Sequence, residues 1–296
     1  MKLAMIGQGR MGEGMTRRLR AAGHDVVAYD LDPAKSDVPD LPAMVAALPA
    51  PRIVWVMVPA RAATEATVAA VAALLAPGDI VVEGGNGYHK DDVRRAATLA
   101  ASGLRYIDAG VSGGVWGFAN GFCIMAGGPR EAFDHIEPIL RDLAPEGGLL
   151  YAGPTGAGHF AKMVHNGIEY GMMQAMAEGF ALLESAHEYD FDLPGVARLW
   201  QHGSVVRSWL LDLLVDALDR DPHLDALRGY VDDSGEGRWT VIEGVERGVN
   251  VNVLATALFA RFTSREENPF AMRVNAALRN EFGGHAVRTV ADTEPG

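Results

Sequence analysis

The chain has 296 residues, of which 49% are hydrophobic, so it is long enough to form two ordinary domains with a core each. Its formal net charge of -12 argues against binding to nucleic acid, because contacts to a phosphate backbone need a surplus of lysine and arginine on one surface. No run of 18 or more apolar residues is present and residues 1–6 do not resemble a signal peptide, so we expect a cytoplasmic protein with no membrane partner.

Short apolar runs alternate with longer alanine-rich segments from residue 2 to about residue 150. This alternation predicts repeated strand-helix-strand units around a mostly parallel sheet, and hence an α/β domain over residues 1–154. The predicted strands are 2–6, 25–29, 53–58, 79–83, 104–108, 121–126 and 148–152. The single cysteine, Cys123, lies in the sixth strand, where its apolar neighbours predict a buried side chain with a packing role.

The pattern changes after Gly153 and Pro154, where the strands stop. Residues 157–187 predict one long helix, and further helices are predicted at 195–201, 204–219, 239–247, 251–263 and 268–281. Residues 221–238 are rich in glycine and predict a loop between two of these helices. We therefore predict an all-α C-terminal domain over residues 155–296.

A glycine-rich turn follows the first predicted strand and leads into a helix, which is the context in which a G-x-G-x-x-G pattern marks a dinucleotide site. Gly7 permits the tight turn, Gly9 lets the backbone approach a pyrophosphate, and Gly12 lets the helix pack on the strand. The turn therefore predicts a Rossmann domain, unless the glycines serve only the turn itself. Its predicted cofactor-binding residues are Gly7, Gln8, Gly9, Arg10, Met11 and Gly12.

Asp30 ends the second predicted strand, 21 residues after Gly9. A carboxylate there can accept hydrogen bonds from the adenosine ribose and would repel a 2'-phosphate, so we predict NAD as the cofactor rather than NADP. Asp32 adds a second negative charge, and the alternative is that Asp30 only caps the next segment. Further candidates follow the third and fourth strands, at the edge where ligands of such sheets bind: Val58, Pro59 and Asn86.

Four polar side chains share one face of the long predicted helix. At about 100° per residue, Lys162, His165, Asn166 and Glu169 fall within about 100° of arc. Apolar residues surround them, which predicts that this stripe is buried beside the sheet edge. A desolvated amine and carboxyl group suit general base and general acid catalysis, whereas the alternative is an ion pair on a solvated helix.

Two further patterns concern anions and metals. The backbone N–H groups and hydroxyl of Ser112-Gly113-Gly114 could hold a carboxylate or sugar oxygen, although Gly-Gly after a strand is more often a simple turn. No metal is predicted, because the histidines lack metal-binding spacing and the clustered aspartates lie on one face of an apolar helix that predicts solvation. Those aspartates are Asp212, Asp216 and Asp219.

Together these segments resemble the 6-phosphogluconate dehydrogenases, and specifically their short form, from residue 1 to about residue 286. The resemblance is carried by residues 7–12, Glu83-Gly84-Gly85-Asn86, residues 111–114, residues 162–170 and Arg238-Trp239-Thr240. It implies oxidative decarboxylation of 6-phosphogluconate to ribulose 5-phosphate and CO2 with reduction of NAD.

The resemblance also implies roles for the site residues. Lys162 would be the general base at the C3 hydroxyl, and Glu169 the acid that protonates C1 of the enediol. The substrate-positioning and substrate-binding residues would be His165, Asn166, Asn86, Ser112, Gly113 and Gly114, with Asn86 between nicotinamide and substrate.

At the other end of the substrate, the resemblance implies that Tyr170 and Arg261 bind the phosphate. Two departures from the family pattern affect this end, since Ser234 stands where longer members have a lysine and Glu236 where they have a threonine. Longer members also carry a duplicated helical half that this chain lacks.

Arg279 and His285 resemble a C-terminal pair that reaches the active site of a neighbouring subunit, which implies a homo-oligomer, either a dimer or a tetramer. The alternative for this pair is a surface helix end.

Two other functions remain open. Another β-hydroxyacid dehydrogenase, such as one for 3-hydroxyisobutyrate, or an imine reductase would not need Glu169 or the Arg279 and His285 pair. A non-catalytic NAD-binding sensor would not need Lys162, Asn166 and Glu169 together.

Overall fold

The computed structural model describes residues 1–283 and residue 288. The described strands are Lys2–Ile6 (β1), Asp25–Tyr29 (β2), Ile53–Val56 (β3), Ile80–Glu83 (β4), Arg105–Ser112 (β5), Cys123–Gly127 (β6) and Leu149–Gly153 (β7). The described α-helices are Arg10–Ala21 (α1), Leu41–Ala46 (α2), Ala62–Ala72 (α3), His89–Ala100 (α4), Gly117–Asn120 (α5), Arg130–Leu143 (α6), Ala157–Ser185 (α7), Leu193–Trp200 (α8), Trp209–Arg220 (α9), Glu236–Arg247 (α10), Asn252–Thr263 (α11) and Phe270–Gly283 (α12).

The seven strands form one sheet in the order β2-β1-β3-β4-β5-β6-β7. All neighbouring strands are parallel except β5 and β6, which are antiparallel. In β1, Ile6 pairs with Tyr29 on one side and with Val56 on the other. The residues that follow these three strands, including Gly7 and Asp30, therefore lie along one edge of the sheet. The prediction of a mostly parallel sheet in the N-terminal part of the chain, followed by helices in the C-terminal part, is confirmed.

Both faces of the sheet are covered by apolar side chains, as expected when helices connect parallel strands. Along β1, Leu3 and Met5 belong to one apolar layer and Ala4 and Ile6 to the other, and all four are at most 3% exposed. This double burial explains why the strands are continuous apolar runs in the sequence.

Glycines allow α7 to pack closely on β5. A Cβ atom at Gly110 in β5 would collide with the Cβ of Lys162 and would lie 2.8 Å from the carbonyl oxygen of Gly158. Helix and strand can approach to this distance only because Gly110 has no side chain. The position of Lys162 is therefore set by its backbone contact with the sheet.

The described chain divides into two compact units, one made of residues 1–169 and 235–250 and the other of residues 170–234 and those from 251 onward. Helix α10 belongs to the first unit, where Thr240 Oγ1 donates to the carbonyl oxygen of Met163 at 2.8 Å. The bounds of these units differ from those of the two domains predicted from the sequence, residues 1–154 and 155–296. That domain division remains a prediction. In the second unit, α8 and α9 pack through a small core of Leu193, Ala197, Leu211, Val215 and Leu218.

None of the described helices combines the length and the apolar character that a membrane span requires.

Three details of the sequence prediction were wrong. Strand β5 continues to Ser112 because it pairs with β6, where Ser112 lies opposite Cys123. The side chain of Cys123 is exposed rather than buried, since it is the first residue of a strand whose next residue, Ile124, points into the core. Helix α10 begins at Glu236, inside the predicted loop, because Gly235 with a φ of +98° ends the loop there.

Candidate active site

The glycine turn after β1 has the geometry of a dinucleotide phosphate site. Gly7 has a φ of +91°, and a Cβ atom there would lie 2.9 Å from the carbonyl carbon of Met57. A Cβ atom at Gly12 would collide with the carbonyl oxygen of Gly7. At Gly9, by contrast, a Cβ atom would meet nothing within 4 Å, so there is open space in front of the N-terminus of α1. An anionic phosphate fits such a position.

The three other residues of the turn differ in exposure. Gln8 is buried, and its side chain donates to the carbonyl oxygen of Met5 at 3.2 Å. Met11 is partly buried and packs against the core of the sheet. Arg10 presents an exposed side chain, whereas that of Gln8 is buried, so Gln8 can serve a cofactor through its backbone or through the shape of the turn.

Asp30 is held at the end of β2 by backbone groups. Its Oδ1 accepts the N–H of Asp32 at 2.9 Å, and its Oδ2 accepts the N–H of Gln8 at 2.6 Å. The hydrogen bond from Asp32 lowers the pKa of Asp30, burial opposes this, and the bond from Gln8 lowers it further. Asp30 is therefore an anion at neutral pH. The capping role belongs to Asp32, whose Oδ1 accepts the N–H of Ala34 at 3.0 Å.

The segment after β3 lies on the same edge of the sheet. Val58 is half-buried and Pro59 is exposed, and the carbonyl oxygen of Pro59 accepts the Thr64 hydroxyl at 3.0 Å, which fixes the segment to α3. Arg61, which the sequence analysis did not single out, has a φ of +71°. A left-handed backbone is unusual for arginine and often marks a functional edge.

Lys162 is the centre of the candidate catalytic site. Its side chain is buried, and its Nζ donates a short hydrogen bond to Oδ1 of Asn86. The same Nζ donates to Oε1 of Glu236 at 3.0 Å, and Glu236 is fully buried. The structure thus brings Asn86 and Lys162 together, and it adds a carboxylate that the sequence had shown only as a departure from the family pattern.

The remaining residues of the polar stripe follow Lys162 along α7. His165 is exposed, while Asn166 and Glu169 are half-buried, and His165 Nδ1 lies 3.0 Å from Asn166 Oδ1. The prediction that the whole stripe is buried was therefore wrong, since only Lys162 is covered. The apolar neighbours of the later turns do not cover the stripe, because Ile168 is itself 50% exposed.

The loop after β5 offers backbone groups in an open position. Ser112 is half-buried at the end of the strand, and both glycines after it have positive φ, with +127° at Gly113 and +54° at Gly114. A Cβ atom at Gly114 would meet nothing within 4 Å. The loop therefore has both the conformation that requires glycine and space beside it.

A buried ionic network that the sequence patterns did not indicate surrounds His159 near the start of α7. His159, one turn before Lys162, places its Nδ1 2.7 Å from Oδ2 of Asp92 and 3.7 Å from Oε2 of Glu83. Burial alone would lower the pKa of His159, but Asp92 and Glu83 raise it to about 10. His159 is therefore a buried cation between two carboxylates.

This network joins the Asn86 loop to the start of α7. Oε1 of Glu83 accepts the N–H of Gly85 at 2.7 Å, which shapes the turn that carries Asn86. Asp108 accepts the N–H of His159 at 2.9 Å, and burial raises the pKa of Asp108 to about 6. The signal in the sequence was an acidic residue at the end of an apolar strand, at Glu83 and again at Asp108.

Glu83, Asp92 and His159 also place possible metal-ligand atoms within 4.8 Å of one another. Asp92 and His159 already bond to each other, and the other carboxylate oxygen of Asp92 accepts Tyr106 at 2.7 Å and Arg95 at 3.2 Å. We therefore assign the cluster as an ion-pair network.

The predicted solvated face of α9 is confirmed, since its three aspartates are exposed: Asp212, Asp216 and Asp219.

The residues predicted for the phosphate end come together in the second unit. The guanidinium carbon of Arg261 lies 3.4 Å from the ring centroid of Tyr170, and the N–H of Ser234 donates to the Tyr170 hydroxyl at 3.3 Å. Arg279 is exposed on α12. His285 lies outside the described residues.

Two sequence models of known families match this chain. The NAD-binding domain of 6-phosphogluconate dehydrogenase matches residues 2–153, and the C-terminal domain of 6-phosphogluconate dehydrogenase matches residues 158–293. The two matches together span nearly the whole chain.

Whole-chain relatives carry related names. The chain is 44% identical to a Bacillus subtilis protein provisionally named 6-phosphogluconate dehydrogenase YqeC, over 97% of this chain and 99% of that one. It is 40% identical to the NAD(+)-dependent, decarboxylating 6-phosphogluconate dehydrogenase of Haloferax volcanii, over 97% of this chain and 98% of that one. The structure of Plasmodium falciparum 6-phosphogluconate dehydrogenase superposes with a TM-score of 0.77 at 24% identity, over 99% of this chain and 67% of that one, and so shares the fold.

Proposed function

The chain belongs to the 6-phosphogluconate dehydrogenase family and is a nicotinamide-dependent enzyme, and from this premise we propose that it oxidises 6-phosphogluconate with NAD and releases CO2 and ribulose 5-phosphate. The observation that carries the proposal is the buried amine of Lys162, bonded to Asn86 and on the same helix face as Glu169. An amine and a carboxylic acid on one helix face can transfer protons at two different carbons of one bound sugar acid, one as a base and the other as an acid.

The cofactor site supports NAD. Open space at Gly9 and the N-terminus of α1 would hold the pyrophosphate, with Gly7 and Gly12 shaping the turn. The ionised carboxylate of Asp30 would accept the ribose hydroxyls and disfavour a 2'-phosphate. Bound NAD would supply the hydride acceptor. Val58, Pro59 and Asn86 would line the nicotinamide side, at the edge of the sheet where β3 and β4 end.

In the first chemical step, Lys162 would act as the general base. Its Nζ would remove the proton from the substrate C3 hydroxyl as hydride leaves C3, which yields a ketone β to the carboxylate. That carbonyl can accept the electron pair freed when the bond to CO2 breaks. The protonated Nζ of Lys162 would stabilise the resulting enolate oxygen.

In the second step, Glu169 would act as the general acid and deliver a proton to C1 of the enediol. His165 and Asn166, which lie between Lys162 and Glu169 on α7, would position the substrate hydroxyls. The proposed carboxylate-binding residues are Ser112, Gly113 and Gly114, where positive φ values and open space favour an anion at backbone N–H groups.

For the phosphate we propose Tyr170 and Arg261. The stacking of Arg261 on Tyr170 restricts the guanidinium, so less conformational entropy is lost when it binds an anion. Ser234 supplies no positive charge at the place of the family lysine. We also propose that Arg279 and His285 serve the site of a neighbouring subunit in a homo-oligomer, which can be tested by the oligomeric state in solution.

The proposal is tested by product stoichiometry. Purified protein with NAD and 6-phosphogluconate should form NADH and CO2 in equal amounts. Lys162→Met should abolish this turnover while NAD binding remains nearly intact, and Lys90→Met, at an exposed position of α4, provides the matched control. NADH without CO2 would assign the chain to the simple β-hydroxyacid dehydrogenases, and substantial turnover by Lys162→Met would exclude it as the base.

A further inference from the structure

The carboxylate of Glu236 faces the amine of Lys162, and no step of the proposed reaction uses it. Glu236 is fully buried, and its Oε1 accepts Lys162 Nζ at 3.0 Å. Its other oxygen, Oε2, is buried without a hydrogen-bond partner in the described part of the chain. The polar contact of this buried carboxylate within the described residues is therefore the one that Oε1 makes with Lys162.

Contacts between two helices fix Glu236 beside Lys162. Glu236 is the first residue of α10. Thr240 Oγ1 bonds to the carbonyl oxygens of Glu236 at 2.9 Å and Met163 at 2.8 Å, which connects α10 to α7. A Cβ atom at Gly167 would lie 2.9 Å from Thr240 Oγ1, so this glycine permits the close approach of the two helices.

The pair raises a chemical problem for catalysis. An amine that is ion-paired with a carboxylate carries a proton, whereas a general base needs a free lone pair. Loss of that proton to bulk water would leave Glu236 as a buried anion without a counter-charge, which is costly. Transfer of the proton from Nζ to Oε1 breaks one N–H bond, forms one O–H bond and leaves the pair without net charge.

We propose that Glu236 is a positioning residue for Lys162 that accepts the lysine proton, so that the pair enters the reaction as a neutral amine and a carboxylic acid. The amine then takes the proton of the substrate C3 hydroxyl. This inference rests on the proposed role of Lys162 as the general base.

Other titratable groups lie on the same elements as the pair or on elements near them in the first unit, and Lys162 bonds to none of them within the described residues. The hydrogen bonds of Lys162 Nζ within the described residues are to Asn86 and Glu236. These charged or titratable groups are His159 and His165 on α7, Glu83 at the end of β4, Asp92 on α4, Asp108 on β5, Arg238 and Glu243 on α10, and Arg61 before α3. A Cβ atom at Gly235 would lie 3.7 Å from Arg61 Nη2, so this second cation lies close to the start of α10.

The test is the pH profile of kcat/KM for 6-phosphogluconate at saturating NAD. In Glu236→Gln the amine must release its proton to solvent, so we expect kcat/KM to fall about tenfold per pH unit on the acid side, with the fall beginning at higher pH than in the native enzyme. Activity should recover as the pH rises. The matched control is Glu243→Gln, a buried glutamate two turns later on α10 that pairs with Lys90 and Arg247 and should keep the native profile.

Melting temperature and NAD binding should be measured for each variant, and Glu236→Asp, which keeps a carboxylate, should retain the native shape of the profile. A folded Glu236→Gln with the native acid limb would overturn the inference while Lys162→Met remains inactive. Substantial turnover by Lys162→Met would instead overturn the base assignment and this inference together.

A measurement on the native enzyme covers the case in which the variants do not fold. The substrate can be added to the enzyme with NADH, so that no hydride is transferred, in the presence of a pH indicator. We expect no proton release, because the proton stays within the pair. Release of about one proton per site would show that Lys162 loses its proton to solvent and would overturn the inference.

Discussion

Asp30 at the end of β2 accepts the backbone N–H of Gln8 at 2.6 Å, so the acidic residue and the glycine turn are held in one arrangement before any ligand binds. The distance is short because β1 and β2 are parallel neighbours that end in register, with Ile6 opposite Tyr29. A cofactor therefore meets a fixed negative charge.

The Asp30→Ala variant should shift cofactor preference toward NADP. Removal of the carboxylate removes repulsion of a 2'-phosphate, and we expect the ratio of kcat/KM for NAD over NADP to fall at least about tenfold. Asp40→Ala is the control, since Asp40 is an exposed carboxylate that caps the start of α2. An unchanged ratio in Asp30→Ala would contradict the assignment of this residue.

The Glu169→Gln variant should slow turnover by about a hundredfold, because the amide cannot donate the proton that C1 of the enediol requires. Reduction of NAD in a single turnover should persist, since that step needs Lys162 as the base and does not need Glu169. Rapid-mixing absorbance at the NADH band separates the two phases. Glu178→Gln, exposed on the same helix, should behave as the native protein; equal loss of both phases in Glu169→Gln would argue for a structural role.

The Gly110→Ala variant should lose both stability and activity. The added methyl group would collide with the Cβ of Lys162, and overpacking of this kind costs about 1–3 kcal/mol. Displacement of α7 would also move the amine of Lys162, so kcat should fall together with the melting temperature. Gly229→Ala, where a Cβ atom would meet nothing within 4 Å, is the control. Native stability of Gly110→Ala would show that the helix can shift freely.

His159 should make the free energy of unfolding fall as the pH rises. Burial opposes the charge, but Asp92 and Glu83 raise the pKa of His159 from 6.5 to about 10 in the folded state. The native state therefore holds a proton that the unfolded chain has lost in this range. The resulting stability is fully present below pH 6.5 and is lost as the pH rises toward about 10.

Denaturant unfolding at pH 7 and at pH 10 measures this loss, and His159→Gln should lose less stability between the two pH values than the native protein does. His187→Gln, in an exposed position, serves as the control. An equal loss in the native protein and His159→Gln would mean that other groups account for the pH dependence.

Local patterns in the sequence predicted the sheet well. The bounds of β1 and β2 follow from apolar runs flanked by charged residues and glycine, and the cofactor turn follows from three glycines within six residues. Lys162 and Asn86 could be assigned through the family resemblance, and the structure places them in contact.

Contacts between distant segments could not be predicted in this way. Lys162 and Glu236 are 74 residues apart, and the partner of His159 in its shortest ion pair, Asp92, is 67 residues away. In the sequence Asp92 looks like an ordinary solvated charge in the first turn of a helix. The extension of β5 to Ser112 likewise depends on an antiparallel partner that periodicity does not reveal.

The register of β5 and β6 places the sole thiol of the chain, the exposed Cys123, directly across from Ser112, beside the glycine loop proposed to hold the substrate carboxylate. Directly opposed residues of antiparallel strands are about 5 Å apart at Cα. A single maleimide dye would therefore attach at one defined place and report ligand arrival at that loop by a change in emission, without any engineered cysteine.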